Sequence, residues 1–306
     1  MSNFYGHPGR AGGLPIGIIA AAAGFSSKSI FIKLAYLQSQ ELDAISLLAL
    51  RMAFSLPFFL AIALGHQYYA KPDPLTRHEW GILFGLGFLG YYLSSFFDFW
   101  GLLYISAGLE RLILFLYPTL VVLFSAVFYR QAVTIPQWRA LGLCYLGILL
   151  IFNDHSHHPL HPDWLKGSLL VFTSAVTFAL FMILNGRVIQ KMGSVRMTVY
   201  PMSIACGLTL LHFALTHPLQ PLNLPGKVYD LAWLMAIIAT VIPAFLMNAG
   251  IHRLGSGTAA IISSIGPVIT LFLAYTLLQE PISLMQMTGT LLILIGVGVI
   301  SLSKPR

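Results

Sequence analysis

Charged residues are scarce in this chain of 306 residues, of which only 9% are Asp, Glu, Lys or Arg. A soluble domain typically carries about a quarter of such residues. Hydrophobic residues make up 57% of the chain, and the mean hydropathy is +0.81. This composition excludes an ordinary soluble domain and predicts an all-α polytopic membrane protein. The formal net charge of +7 is scattered between apolar segments, so we expect membrane lipid rather than nucleic acid as a partner.

Cysteine is also scarce, and the sequence signatures of common enzymes are missing. Cys144 and Cys206 both lie inside apolar segments, which argues against a disulfide framework. The sequence contains no GxxxxGKS/T phosphate-binding loop, no HExxH zinc motif and no GxSxG nucleophile turn. We therefore predict that the protein is not an enzyme, is not driven by ATP and needs no cofactor.

A duplicated unit is the main feature that the sequence does contain. Residues 106–137 recur, shifted by about 149 positions, at 255–286. Three residue types keep their positions in both copies, namely Gly108 and Gly257, Pro118 and Pro267, and Gln137 and Gln286. The copies differ most in charge, because basic residues follow the first whereas the turn after the second carries Glu280.

Ten apolar segments are each roughly 20 residues long, which is the length that a helix needs to cross a bilayer. They cover residues 14–37, 42–65, 79–103, 107–129, 136–152, 167–190, 195–216, 230–250, 256–278 and 284–302. Five spans per half is an odd number, which forces the second half to insert upside down relative to the first. We therefore predict two inverted five-helix repeats at 14–152 and 167–302, joined by an outer linker at 153–166.

The distribution of basic residues gives the predicted orientation. With the N-terminus inside, 11 Lys and Arg residues fall on the inner side and 2, Lys166 and Lys227, fall on the outer side. Basic residues gather on cytoplasmic loops. This bias predicts that both termini are cytoplasmic.

Ionisable residues inside the spans are candidates for function. Six of them lie in the first half, namely Lys28, Lys33, Arg51, Asp98, Glu110 and Arg111. A charge near the middle of a bilayer costs roughly 2.5–3.5 kcal/mol, so each should face a polar cavity or a partner. Lys28 and Arg51 lie nearest the midplane and are candidates for solute contact, with a structural role equally open.

The acidic residues have more than one interpretation. Asp98 is expected either to form a buried pair with Arg111 or Lys33, or to titrate. Glu110 lies in the first turn of its helix, where a carboxylate suits the positive end of the helix dipole. For Glu110 and Glu280 we favour this kind of structural or capping role.

The remaining candidates are uncharged and lie mostly in the second half. Those expected to line a cavity are Tyr117, Pro118, Asn185, Asn248, Ser263, Gly266 and Pro267. Pro118 and Pro267 lie about halfway along the fourth and ninth spans. Because proline frees a backbone carbonyl and bends a helix, matching breaks in two repeats point to a solute site.

Histidine is concentrated in the linker between the halves, at His155, His157, His158 and His161. A histidine-rich tract can bind metal, but this spacing matches no closed zinc site. We therefore expect a solvated linker and predict no metal site.

The duplicated unit also resembles a known family. The stretch GLLYISAGLERLILFLYP, from Gly101, and its counterpart GIHRLGSGTAAIISSIGP, from Gly250, are similar to the EamA repeat of the drug/metabolite transporter superfamily. Lys33 and Arg51 resemble charged positions of that family, and Glu280 resembles its motif between the last two helices. The resemblance implies ten helices in two inverted repeats around a central cavity. It also implies transport of small metabolites, commonly export of amino acids or related compounds across a bacterial inner membrane.

These observations favour a secondary transporter that works by alternating access and binds a small-molecule substrate. Asp98 is then the candidate for coupling transport to protons. The alternative is a non-transporting receptor or scaffold whose histidine-rich outer loop acts as a sensor. A homodimer is an open assembly state.

Overall fold

The architecture is helical throughout the part of the chain that the computed structural model describes, which comprises residues 13–71, 73–130, 132–153, 162–217, 223–254, 259, 262–263 and 265–302. Eight helices are long and apolar enough to cross a membrane, namely Pro15–Tyr36, Ala44–Ala70, Arg77–Gly101, Ala107–Phe128, Ile135–Phe152, Trp164–Gly186, Ser194–Thr216 and Gly226–Leu254. Two apolar helices, Gly266–Leu277 and Leu284–Ile300, are shorter. The prediction of an all-α membrane protein is confirmed, while the count of ten spans stays a prediction.

The helices differ in detail from uninterrupted spans. In chain order they are α1 (Gly13–Tyr36), α2 (Ala44–Ala70), α3 (Arg77–Leu86), α4 (Ser94–Gly101), α5 (Ala107–Leu114), α6 (Tyr117–Tyr129), α7 (Ile135–Phe152), α8 (Trp164–Met192), α9 (Ser194–Thr216), α10 (Gly226–Ala236), α11 (Ile242–Leu254), α12 (Gly266–Leu277) and α13 (Leu284–Leu302). A π-helical segment, Gly87–Leu93, joins α3 to α4, and a second one, Ile237–Val241, joins α10 to α11. With the shift of 149 residues applied, the first π segment corresponds to residues 236–242, which include the whole of the second.

The two repeated prolines begin helices instead of bending their middles. α5 ends at Leu114, and α6 begins at Tyr117 with Pro118 in its first turn. In the second half, Pro267 lies in the first turn of α12. Proline has no backbone N–H and fits the first turn of a helix, where that group has no partner within the helix. The prediction of a backbone break therefore holds for Pro118, but the break precedes the proline.

Capping residues also recur between the halves. At the start of α7, the Gln137 side chain accepts a hydrogen bond of 2.9 Å from the Thr134 backbone N–H. At the start of α13, the Gln286 side chain accepts one of 3.4 Å from the Ser283 backbone N–H, and the Ser283 hydroxyl accepts one of 2.9 Å from the Gln286 backbone N–H. Each side chain satisfies a backbone donor that the first turn of a helix leaves free. The same local chemistry therefore starts the last helix of each half.

Close contacts between the halves occur twice with the partners exchanged. A Cβ atom on Gly101 of α4 would lie 2.8 Å from the Gly167 carbonyl oxygen of α8. A Cβ atom on Gly250 of α11 would lie 2.5 Å from Ile18 Cγ1 of α1. Gly250 and Gly167 are the counterparts of Gly101 and Ile18 under the shift of 149 residues. Contacts with exchanged partners are typical of two units related by a two-fold axis, here the two halves of the chain.

The contact between α7 and α13, called the α7–α13 seam below, also contains pairs of contacts with the partners exchanged between the halves. A Cβ atom on Gly147 would lie 2.6 Å from the Gly289 carbonyl oxygen, and one on Gly296 would lie 2.7 Å from the Ala140 carbonyl oxygen. Gly296 and Ala140 are the counterparts of Gly147 and Gly289. Glycine here allows the two backbones to approach closely, as small residues do between membrane helices.

The outward surface is apolar, as a membrane requires. Leu64, Val127 and Leu215 are 71%, 72% and 76% exposed. Large apolar side chains exposed on membrane-length helices suit contact with lipid. Three charged side chains, Arg51, Asp98 and Glu110, are instead buried inside the helix bundle.

Candidate functional site

A cavity of about 160 Å³ lies between the two halves of the bundle. Seven of the residues singled out from the sequence line it, namely Lys28, Arg51, Arg111, Tyr117, Asn185, Asn248 and Ser263. The first half contributes the three cations among them, and the second half contributes the two amides and the serine. Asp98, Pro118, Gly266 and Pro267 are not part of the wall.

Both π segments contribute to the wall of this cavity. Gly90 and Tyr91 line it from the first segment, and their counterparts Ala239 and Thr240 line it from the second. The Thr240 hydroxyl donates a hydrogen bond of 2.9 Å to the Met235 carbonyl oxygen, five residues earlier. Single π turns inside α-helices are frequent at functional sites. The sequence analysis does not predict either segment.

Aromatic and methionine side chains form most of the remaining wall. On α8, Phe178, Phe181 and Met182 share one helix face with Asn185. The positions follow the spacing i, i+3, i+4 and i+7, which places residues on the same side of a helix. The sequence analysis singles out only Asn185, and the helical phase of its neighbours is the signal that would have found the others.

A buried ion cluster lies behind part of this wall. Lys28 Nζ lies 2.5 Å from Asp98 Oδ2 and 4.0 Å from Glu110 Oε1. The Asp98 and Glu110 side chains are 1% and 0% exposed, whereas the Lys28 side chain is 14% exposed. Lys28 therefore stands between the two carboxylates and the cavity.

The partner expected for Asp98 needs correction. The structure pairs it with Lys28 instead of Lys33 or Arg111. Lys33 Nζ donates a hydrogen bond of 2.9 Å to the Leu102 carbonyl oxygen. Five residues along an α-helix correspond to a rotation of about 140°, so Lys28 and Lys33 cannot face the same neighbour.

Arg51 reaches the cavity from α2 and is only 4% exposed. Its Nη2 donates a hydrogen bond of 3.1 Å to the Ser95 hydroxyl. The guanidinium carbon lies 4.8 Å from the centre of the Phe99 ring, a distance typical of a cation–π contact. Its Nε has no hydrogen-bond partner among the described residues.

Arg111 reaches the same cavity from α5. Its Nη2 donates a hydrogen bond of 3.2 Å to the Ser26 hydroxyl, which also lies 2.9 Å from the Gly266 carbonyl oxygen. A Cβ atom on Gly266 would lie 2.6 Å from that Nη2. The missing side chain of Gly266 therefore makes room for the guanidinium. The Arg111 Nε, like that of Arg51, has no partner among the described residues.

The two other acidic candidates differ in their contacts. Glu280 accepts hydrogen bonds from the backbone N–H groups of Ala107 (3.0 Å) and Gly108 (3.2 Å), so a residue of the second half caps α5 of the first. Glu110 lies in the first turn of α5, but neither of its carboxylate oxygens has a hydrogen-bond partner within the described part of the chain. The Ser106 hydroxyl accepts from the Leu109 N–H instead.

An uncharged polar group lies on the second-half side of the cavity. Asn248 donates a hydrogen bond of 2.9 Å to the Thr198 hydroxyl. Asn185 donates to the Asn248 side-chain oxygen over 3.5 Å, and its own side-chain oxygen has no partner among the described residues. These amides can accept or donate a hydrogen bond but carry no charge.

The four linker histidines, His155, His157, His158 and His161, lie outside the described residues. Within the described residues, no group of three or more His, Cys, Asp or Glu side chains is placed to hold a metal ion. The absence of a metal site stays a prediction for the chain as a whole.

Comparisons with known proteins agree with the helical architecture. The model of the EamA-like transporter family matches residues 14–153 and 165–302. The uncharacterized transporter YcbK of Bacillus subtilis is 30% identical over 270 residues, which cover 87% of this chain and 85% of that protein. The uncharacterized transporter YyaM of the same organism is 26% identical over 225 residues, covering 72% and 73%. One crystal structure shares the fold with a TM-score of 0.65 at 17% identity, covering 94% of this chain and 97% of that one.

Proposed function

We propose, from the premise that this chain belongs to the EamA-like transporter family, that it is a secondary transporter of small metabolites. Family membership and the apolar spans support an integral membrane protein and a transporter, in agreement with the prediction that it is not an enzyme. We further propose export of amino acids or related compounds across a bacterial inner membrane. The sequence features of an energy-coupling nucleotide site are missing, so we propose that a gradient or the solute itself supplies the driving force.

The observation that carries this proposal is the cavity of about 160 Å³ between the halves. Its wall combines three cations of the first half with amides of the second, and two matching π segments approach it from opposite halves. Solute sites of transporters built from repeats lie at the interface of the repeats, where helices are interrupted. The cavity fits this description.

Alternating access needs two halves that can move against each other, and we assign them to residues 14–152 and 167–302. The exchanged glycine contacts support a two-fold relation between them. The charge bias of 11 to 2 supports opposite orientations in the membrane and cytoplasmic termini. Asp98 is proposed to take part in coupling to protons, because it is a carboxylate within the ion cluster next to the cavity.

Flux through purified protein in liposomes tests the proposal. Vesicles loaded with a mixture of labelled amino acids and related carboxylic acids should release at least one of them faster than protein-free vesicles. Arg51→Gln should slow that release, whereas Arg139→Gln, on the exposed side of α7, should not. No release of any solute would contradict the proposal and favour a receptor or scaffold.

A further inference from the structure

The charge that faces the cavity is of one sign. Lys28, Arg51 and Arg111 line it, and no Asp or Glu does so among the described residues. The two carboxylates of the cluster, Asp98 and Glu110, lie behind Lys28. Three cations against two carboxylates leave a formal charge of +1 when all five are ionised. An anion in the cavity would neutralise this charge, whereas a cation would add to it.

The two arginines also have hydrogen-bonding capacity to spare. Arg51 and Arg111 each donate one Nη2 bond to a serine, and the Nε of each lacks a partner in the described part of the chain. A buried donor without a partner is unfavourable unless a ligand supplies the acceptor. Guanidinium groups bind carboxylates through two parallel hydrogen bonds, and the pair is stronger than one between neutral groups.

The rest of the wall is suited to an apolar body. Phe25, Phe115, Phe178 and Phe181 line the cavity together with several methionines. Phe181 stacks near Phe178, with ring centres 5.5 Å apart, and Tyr91 meets its edge at 4.9 Å. Aromatic surfaces of this kind favour flat apolar groups, and methionine adapts to varied shapes.

We propose that the cavity selects solutes with a carboxylate at one end and an apolar, preferably aromatic, body at the other. Arg51 and Arg111 bind the carboxylate, and the aromatic wall holds the body. An organic cation is disfavoured, because Lys28 stands between the cavity and the buried carboxylates. This inference rests on the proposed transport function and names the class of its substrate.

Three probes of nearly equal shape test the inference on the purified full-length protein. They are sodium phenylacetate, its neutral amide 2-phenylacetamide, and the cation phenethylamine, with binding measured by calorimetry and by the rise in melting temperature. Phenylacetate should bind about tenfold or more tightly than the amide, because hydrogen bonds to charged groups are the stronger ones. Equal affinity for amide and acid, a preference for the amine, or binding of none of the three would overturn the inference.

Variants assign the effect to the two arginines. Arg51→Gln and Arg111→Gln should each weaken phenylacetate binding about tenfold or more and weaken amide binding less, because the amide oxygen can accept a hydrogen bond but carries no charge. Arg139→Gln is the matched control on an exposed surface and should change neither. Arg51→Lys keeps the positive charge and serves as a control for misfolding. It should bind phenylacetate with intermediate affinity, because lysine cannot form the two parallel hydrogen bonds. Unchanged phenylacetate binding in both glutamine variants would overturn the assignment.

Flux measurements separate this inference from the function on which it rests. If the liposomes transport phenethylamine or another cation but no carboxylate, the inferred substrate class is wrong and the proposed transport function is supported. If phenylacetate binds with the expected preference but no solute crosses the membrane, the inferred binding site is supported and the proposed transport function is wrong.

Discussion

At the scale of single residues, the ion cluster and the two arginines divide the charged groups into two sets. Lys28 pairs with Asp98 and lies 4.0 Å from Glu110, so the charge of this lysine is already compensated by carboxylates inside the bundle. Arg51 and Arg111 have neutral hydrogen-bond partners and open donors. The first set is suited to holding the structure or a proton, and the second is suited to binding a ligand.

Removing the charge of Asp98 should separate its structural role from a coupling role. Asp98→Asn leaves Lys28 without its closest partner and should lower the melting temperature. The loss should be smaller than the roughly 3–5 kcal/mol typical of breaking a buried pair, because Glu110 lies 4.0 Å from Lys28 and offsets part of it. The double change with Lys28→Gln should recover part of the stability, because Glu110 then loses the lysine 4.0 Å away. Asp230→Asn, at an exposed position, is the control.

The same variant tests proton coupling through flux. If Asp98 exchanges a proton during transport, Asp98→Asn should remove the pH dependence of flux between about pH 5 and 8 while solute binding persists. Lys28 and Glu110 remain in both proteins, so the comparison isolates this one carboxylate. A wild-type pH profile in Asp98→Asn would discard the coupling role.

Gly266 offers a test of the position of Arg111. Gly266→Ala places a methyl group 2.6 Å from the present position of Arg111 Nη2, so the guanidinium must move and lose its Ser26 contact. We expect about tenfold weaker phenylacetate binding with a smaller effect on the melting temperature. Gly142→Ala on α7 meets no atom within 4 Å and should change neither quantity appreciably. Full phenylacetate affinity in Gly266→Ala would show that this contact does not fix Arg111.

At the scale of helices, interruptions gather around the cavity. The break between α5 and α6 and the two π segments each bring residues to the wall, namely Phe115 and Tyr117, Gly90 and Tyr91, and Ala239 and Thr240. In a membrane, irregular backbone is tolerated where it is buried in protein or lines a cavity. The interruptions therefore identify this region independently of its charges.

The paired prolines should affect movement more than stability. Pro118→Ala restores a backbone N–H and allows α5 and α6 to join, so we expect slower flux with little loss of melting temperature. Pro267→Ala should act at least as strongly, because Gly266 before it gives the backbone more freedom. Pro136→Ala changes a proline in the first turn of α7, a helix that begins after a loop and contributes no residue to the cavity wall, and is the control. Normal flux in both variants would assign the two prolines a structural role.

The sequence predicts some of these features and not others, for physical reasons. Hydrophobic length and repeat spacing depend on local sequence, so the spans and the matching prolines can be found without coordinates. The partner of Asp98 is 70 residues away, and its identity depends on the rotation of α1, which composition does not determine. The π segments carry no distinctive residue type, and Phe178 and Phe181 resemble lipid-facing residues until their phase with Asn185 is considered.

At the scale of the whole molecule, a duplicated scaffold carries a one-sided distribution of charge. Every ionisable residue of the cluster and both arginines of the cavity wall belong to the first half, while the backbone interruptions occur in both. The symmetric part is suited to movement and the asymmetric part to recognition. The two roles can therefore change independently in sequence.

The orientation of this scaffold in the membrane can be tested with reporters. A fluorescent protein fused after Arg306 should fluoresce in the cytoplasm, and alkaline phosphatase inserted within residues 156–162 should be active outside. The expectation follows from the bias of 11 basic residues to 2. Inactive phosphatase in the linker, or a dark C-terminal reporter, would contradict the ten-span arrangement.

The α7–α13 seam has a consequence for assembly. Gly147 contacts Gly289, and their counterparts Gly296 and Ala140 contact each other in the same seam. The two halves therefore meet through equivalent surfaces. The connection after Phe152 is not needed to set how α7 packs on α13. What that connection supplies is effective concentration. A chain cut between Phe152 and Trp164 should therefore keep the same pairing, with a melting temperature that now depends on protein concentration, as for two subunits of a dimer.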